Sequence, residues 1–237
     1  LGGTSAKGGN GDTAVISNKG YVSVHGDSSY GLYVQSIGGG GGSASSTSPI
    51  KVNLGGTGGD GGHGGDIEVV NQRKGIIESR GKNGIGVFAM SLGGGGGDVG
   101  TTQDLVTLGS KVGVGGNGGD IAILNRGTIR TTGEGGVGIL ARSLGGGGGR
   151  VASSINSGKL HLGSTSSEEA KGGEVTVINT GNIYSFGHDS TPLQLDGIGG
   201  GGGDARKDYG RLELGSKNGS GDQRSKLPEC EDAGVHG

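Results

Sequence analysis

Apolar and polar residues alternate along this chain with a period of two, over short stretches separated by glycines. In Ile121-Ala122-Ile123-Leu124-Asn125, residues Ile121, Ile123 and Asn125 share a parity and would share one face of a strand. Ala14, Ile16 and Asn18 hold the matching places in another copy, as do Ile67, Val69 and Asn71, and Val175, Val177 and Asn179. A glycine then interrupts the run at Gly20, Gly127 and Gly181, and later, at Gly75, in the second copy. Alternation resumes through Val22 and Val24, Ile77 and Ser79, Ile129 and Thr131, or Ile183 and Ser185. A third strand is predicted over Gly31 to Ile37, Gly86 to Leu92 and Gly138 to Leu144, each just before a run of five glycines. The parity predicts that Ile123 faces inward and Ala122 outward. Helical spacing never takes over.

The copies keep a fixed distance. The motif apolar-x-Leu-Gly recurs with its leucines at Leu54, Leu108, Leu162 and Leu214, in steps of 54, 54 and 52. An acidic residue after a glycine-rich turn recurs at Asp12, Asp66, Asp120 and Glu174, each 54 residues after the last. The glycine runs begin at Gly38, Gly93, Gly145 and Gly199. These markers divide the chain into about four 54-residue repeats, at 1–53, 54–107, 108–161 and 162–213, with the start of a fifth at 214–222. Residues 223–237 leave the pattern and are expected to form a disordered tail or a cap.

Short strands without hairpin-turn chemistry, repeated along a chain, predict an all-β fold, a parallel β-solenoid in which each coil stacks on the one before. A coil of roughly 18 to 20 residues is expected. A repeat would then be three coils, or two coils with a long glycine-rich excursion.

Composition narrows the class. Glycine supplies 65 of 237 residues, against only three prolines. The glycines come in blocks and not at every third position, which excludes collagen. The formal charge of −2, from 20 Lys+Arg and 22 Asp+Glu, leaves no basic excess for nucleic acid or an anionic membrane, and self-repulsion too weak to hold the chain open. A thin ordered core is expected. The lone Cys230 rules out a disulfide framework or a paired-cysteine zinc site. No apolar run approaches the roughly 18 residues of a membrane helix, and no charged-then-apolar leader opens the chain, which reads as a soluble piece of something longer.

Ordering each glycine costs roughly 0.5 to 1 kcal/mol more than ordering alanine. The glycine runs are therefore expected to be part-ordered loops, the alternative being backbone packed on backbone where a side chain would obstruct.

Among candidate sites, Gly-Gly-x-Gly-x-Asp ends at Asp66 and Asp120 and suggests a calcium-binding β-roll. The roll's large apolar residue, two places after the aspartate, is here Glu68 or Ala122, and the motif does not recur every nine residues. Turn aspartates at Asp12, Asp66 and Asp120, bonding nearby backbone N–H groups, are the expected reading. Asn18, Asn71, Asn125 and Asn179 share parity with the core and are expected to bond the turn backbone of the same or next coil. His25, His63, His161, His188 and His236 share no repeat position and have no zinc or triad spacing, so solvated histidines are expected. Ser36, Ser91 and Ser143 recur, which suits structure better than a single activated nucleophile. No helix follows any glycine run, which argues against a phosphate loop. A catalytic cluster would break the repeat on one face; none stands out, and Glu168-Glu169-Ala170-Lys171, the nearest, reads as a solvated turn.

The pattern from Gly118 to Thr131 (Gly-Gly-Asp-Ile-x-Ile-x-Asn-x-Gly-x-Ile-x-Thr), followed by Gly138 to Gly149, resembles the glycine-rich passenger repeats of bacterial autotransporter outer-membrane proteins. The likeness covers residues 1–222 and is weakest in the fourth copy, where Asp196-Gly197-Ile198 replaces x-Ser-aliphatic. It implies a right-handed parallel β-helix, exported across the outer membrane and displayed on the bacterial cell surface as an adhesin or its stalk, with a translocator barrel absent from this chain. The partners implied are a host-cell or surface ligand, or sister molecules; no cofactor is expected. Two other classes are a calcium-dependent secreted β-roll and a β-helical enzyme passenger.

Overall fold

The fold is a stack of short parallel strands, seen in a computed structural model. It describes residues 6–42, 44–46, 58–97, 99–101, 113–148, 150–153, 160–162, 170–200, 204–207 and 212–214. Among them there is no helix. The first level holds β1 (Ala14–Asn18), β2 (Tyr21–Val24), β3 (Tyr30–Ile37) and β4 (Ala44–Ser46). The second holds β5 (Ile67–Asn71), β6 (Ile76–Ser79), β7 (Ile85–Leu92) and β8 (Val99–Thr101). The third holds β9 (Ile121–Asn125), β10 (Thr128–Thr131), β11 (Val137–Leu144), β12 (Arg150–Ser153) and β13 (Leu160–Leu162). The fourth holds β14 (Val175–Asn179), β15 (Asn182–Ser185), β16 (Thr191–Ile198), β17 (Asp204–Lys207) and β18 (Leu212–Leu214).

Each strand pairs in parallel with its counterpart on the next level. The sheets are β1-β5-β9-β14 (sheet A), β2-β6-β10-β15 (sheet B), β3-β7-β11-β16 (sheet C), β4-β8-β12-β17 and β13-β18. In sheet A, Asn18 pairs with Asn71, Asn71 with Asn125, and Asn125 with Asn179. This is the in-register parallel stacking expected of a parallel β-solenoid. The expected coil length is corrected: because β1 pairs directly with β5, one level takes up the whole distance between copies. Three strands enclose its core, and the stretch that follows carries the glycine run, a fourth strand on every level (β4, β8, β12 and β17) and a fifth on the last two (β13 and β18).

Sheets A, B and C enclose the core. Ile67, Val69, Ile121, Ile123, Val175 and Val177 from sheet A meet Ile77 and Ile129 from sheet B, and Val34, Val87, Ala89, Ile139 and Ala141 from sheet C. Burying each Ile or Val contributes about 1.5 to 3 kcal/mol, and β-branched chains suit the pleat. Ile123 lies inside and Ala122 outside, in accord with the alternation. Where β5 turns into β6, the Cβ of any other residue at Gly75 would lie 2.1 Å from Asn71 Oδ1, so the corner needs glycine. The turn into sheet C uses left-handed backbone at Ser28, Asn83, Gly135 and Asp189.

The glycine runs are ordered, and the expectation of part-ordered loops is corrected for their described residues. Along the axis Gly38 N–H donates to Leu92, Gly41 to Gly95, and Gly93 to Leu144. Sideways, Gly39 donates to Gly9, Gly62 to Gly39, Gly94 to Gly62, Gly116 to Gly94, and Gly146 to Gly116. The run after sheet C of one level thus interleaves with the glycine segment before sheet A of the next. Along each segment the direction of bonding recurs every third residue, as at Gly38 and Gly41 or Gly39 and Gly42, the period of a polyproline II helix. Among the described glycines only Gly135 has positive φ, so conformational freedom is not what the runs require. They require a missing side chain: a Cβ on Gly94 would lie 2.0 Å from the Gly39 carbonyl oxygen, and one on Gly116 1.9 Å from that of Gly62. Satisfied backbone bonds in the packed slab offset the entropy cost of ordering glycine.

Candidate functional site

The recurring polar residues join the levels to one another. Asn18 Nδ2 donates to Asn71 Oδ1 at 2.9 Å, Asn71 to Asn125 at 2.8 Å, and Asn125 to Asn179 at 2.7 Å. Each amide also reaches a corner carbonyl, such as Gly20 from Asn18 and Gly181 from Asn179. Ser36 Oγ donates to the Asp12 carbonyl and accepts from Gly65 N–H, one level on. Ser91 does the same between Gly65 and Gly119, and Ser143 between Gly119 and Gly173. The column stops where Gly197 stands beside Ser143; there Arg142 Nε and Asp196 Oδ2 form an ion pair at 2.8 Å instead.

Asp66 Oδ1 accepts from Asp120 N–H at 2.9 Å, and Asp120 Oδ1 from Glu174 N–H at 2.8 Å. Asp12 Oδ1 accepts from Thr13 N–H. No group of three or more His, Cys, Asp or Glu able to hold a metal occurs among the described residues. His63 joins a parallel column: its backbone N–H donates to Asn10 Oδ1, its Nδ1 accepts from Asn117 N–H, and Asn117 Oδ1 accepts from Lys171 N–H. It therefore shares a repeat position with Asn10, Asn117 and Lys171, which corrects its reading as a merely solvated ring. The signal was the triplet Gly-Gly-x in Gly58-Gly59-Asp60-Gly61-Gly62-His63-Gly64-Gly65-Asp66, where every third residue points out of the slab. Leu162 and Leu214 pair across β13 and β18. Leu54, Leu108, Glu168, Glu169, Asp222, Cys230, His236 and the 223–237 tail lie outside the described residues.

All these contacts hold the stack together, so a binding site must be sought among outward residues that differ from level to level. Sheet B provides one. Its outward positions in register are Ser23, Glu78, Arg130 and Tyr184. Strands stack about 4.8 Å apart, which brings these chemically different groups into one column. Glu78, its side chain only 10% exposed, accepts from Tyr21 Oη at 2.6 Å and from Arg80 Nη2 at 2.8 Å. Arg130 Nε lies 3.9 Å from Glu78 Oε1, and its guanidinium sits 5.2 Å from the centre of the Phe186 ring. Phe186 stacks on Tyr184, with ring centres 5.6 Å apart and planes 14° off parallel. Phe186 is 62% exposed and Tyr184 42%.

The hydrogen bond from Arg80, then that from Tyr21, and the charges of Arg80 and Arg130 hold the Glu78 carboxyl below the usual carboxylate range, against desolvation. This cluster, Glu78, Arg80 and Arg130 with three aromatic rings, is the break in the repeat that the sequence did not reveal. A register spacing applied to outward positions, and not only to inward ones, would have found it. A second aromatic group, Tyr30, Tyr33 and Phe88, lies on the outside of sheet C, with Tyr33 stacked on Phe88 at 5.0 Å.

No family model, curated protein or solved structure matches the chain.

Proposed function

We propose that this chain is a segment of the exported passenger of a bacterial autotransporter: a right-handed parallel β-helix of about four 54-residue repeats, displayed at the cell surface as a non-catalytic adhesin or adhesin stalk. The observation that carries this reading is the contrast between inside and outside. Inward positions repeat from level to level, as in the asparagine column, whereas the matching outward column changes from Ser23 to Glu78 to Arg130 to Tyr184. A scaffold whose interior repeats while its surface varies suits recognition through that surface.

Display is the test. The chain is placed between a signal peptide and an autotransporter barrel in a heterologous bacterium, and attachment to cultured cells and abiotic surfaces is measured with and without EDTA. Surface exposure with EDTA-insensitive attachment supports the adhesin reading. Export without attachment leaves the stalk, failure of export defeats the passenger reading, and unfolding in EDTA favours the calcium-dependent β-roll.

A further inference from the structure

We propose that the outer face of sheet B binds a carboxylate-bearing glycan, with the Arg130 guanidinium receiving the carboxylate and the exposed ring of Phe186, backed by Tyr184, receiving the apolar face of a sugar ring. This rests on the adhesin reading and names the ligand class for it. The charge balance of the cluster points to an anion. Glu78 is satisfied by Tyr21 and Arg80 at hydrogen-bonding distance, whereas Arg130 stays at 3.9 Å from it and donates no side-chain hydrogen bond among the described residues. One guanidinium, 49% exposed, thus keeps its forked donors for an incoming carboxylate, the geometry in which Arg binds bidentately.

Beside it stand the stacked rings of Tyr184 and Phe186, 42% and 62% exposed, with the guanidinium over part of the Phe186 ring and the rest of the pair open. Such rings offer a large apolar area at little cost in conformational entropy. A ligand that is apolar on one side and polar at its rim can meet both the aromatic rings and the guanidinium of this face. A pyranose ring bearing a carboxylate has that form.

The purified full chain is titrated by calorimetry with tri-galacturonic acid, with a trimer of N-acetylneuraminic acid, with the methyl ester of the first, and with a tri-glutamate peptide. At least one acidic sugar is expected to bind, and the ester at least tenfold more weakly than its acid if that acid is the ligand. Arg130→Gln is expected to weaken binding at least tenfold and Phe186→Ala at least fivefold, whereas Lys171→Gln, in the glycine segment before sheet A, leaves it unchanged. Far-UV circular dichroism of each variant establishes that the stack is retained. Binding of neither acidic sugar, equal binding of acid and ester, tri-glutamate binding as tight as the sugars, or an unaffected Arg130→Gln would each overturn the proposal. If the displayed chain still attaches to cells when it carries Arg130→Gln and Phe186→Ala, the adhesin reading survives and this one falls.

Discussion

Asn71 donates its side-chain amide to Asn125 at 2.8 Å across 54 positions of sequence. Asn125 is completely buried and in turn donates to Asn179. Amide–amide bonds shielded from water are strong, and a broken column strands polar groups on both neighbouring levels. Asn125→Ala should therefore destabilise the stack by about 2 to 4 kcal/mol, whereas Asn179→Ala, exposed and with one column neighbour among the described residues, should cost under about 1 kcal/mol. Urea unfolding followed by circular dichroism compares the two.

Gly94 and Gly95 are adjacent, yet their substitutions should have opposite effects. A Cβ on Gly94 would lie 2.0 Å from the Gly39 oxygen, while one on Gly95 meets nothing nearer than the Gly147 oxygen at 3.8 Å. Gly94→Ala should force the slab apart and cost several kcal/mol, about 3 or more. Gly95→Ala should be neutral or stabilise by about 0.5 kcal/mol through a less flexible unfolded chain. Amide hydrogen exchange at Gly62 and Gly116 would report the separation directly, and equal effects at both sites would contradict the packed slab.

Acid should weaken the join between the first and second levels through Glu78. Its carboxyl is held below the ordinary range, chiefly by Arg80 and Tyr21. A lowered value in the fold means stability that is fully present above the unfolded value, about 4.3, and lost as pH falls through the folded one. Thermal midpoints measured from pH 6 to pH 2 should fall over that window. In Glu78→Gln the fall should be shallower, and an identical acid limb would show that the cluster has no part in it.

Ser79 Oγ is buried without a hydrogen-bond partner among the described residues, between Val24 and Thr131. Removing an unpaired hydroxyl removes its desolvation cost and leaves only a small void. Ser79→Ala should be neutral or stabilising by up to about 1 kcal/mol, the reverse of most core substitutions. A loss of more than about 1 kcal/mol in chemical denaturation would mean that the hydroxyl has a partner in solution.

Ile123→Asp should bury an unpaired charge in the core and unfold the neighbouring levels, a loss above about 4 kcal/mol. Ala122→Asp, outside the stack beside Glu68 and Thr176, should cost under about 1 kcal/mol from like-charge proximity. Equal tolerance of both, judged by far-UV circular dichroism, would reverse the facing of β9.

Period-two alternation was enough to locate the strands of sheets A, B and C, because Ile and Val at one parity have a single dry side to occupy. It gave no measure of how far a level extends, since that depends on which strand pairs with which, and pairing between levels leaves no mark within one strand. The glycine runs misled for a related reason. Glycine reads as conformational freedom when taken alone, whereas at Gly94 and Gly116 it answers to a carbonyl oxygen from a segment distant in sequence. The cluster around Glu78 was hidden because Tyr21, Arg130 and Phe186 are far apart along the chain, and only the stacking brings them together.

The corner after Asn71 holds three residues, Gln72, Arg73 and Lys74, where the corner after Asn18 holds only Lys19, yet Ile77 still pairs with Val22. The added residues close on themselves through Gly75 N–H to the Gln72 carbonyl, and the strands on either side keep their partners. Length can thus change at a corner without being felt one level away. A foreign peptide grafted between Asn71 and Gly75 would be carried on the outside of an unshifted stack, so the corners can change in length and sequence while the interior stays the same.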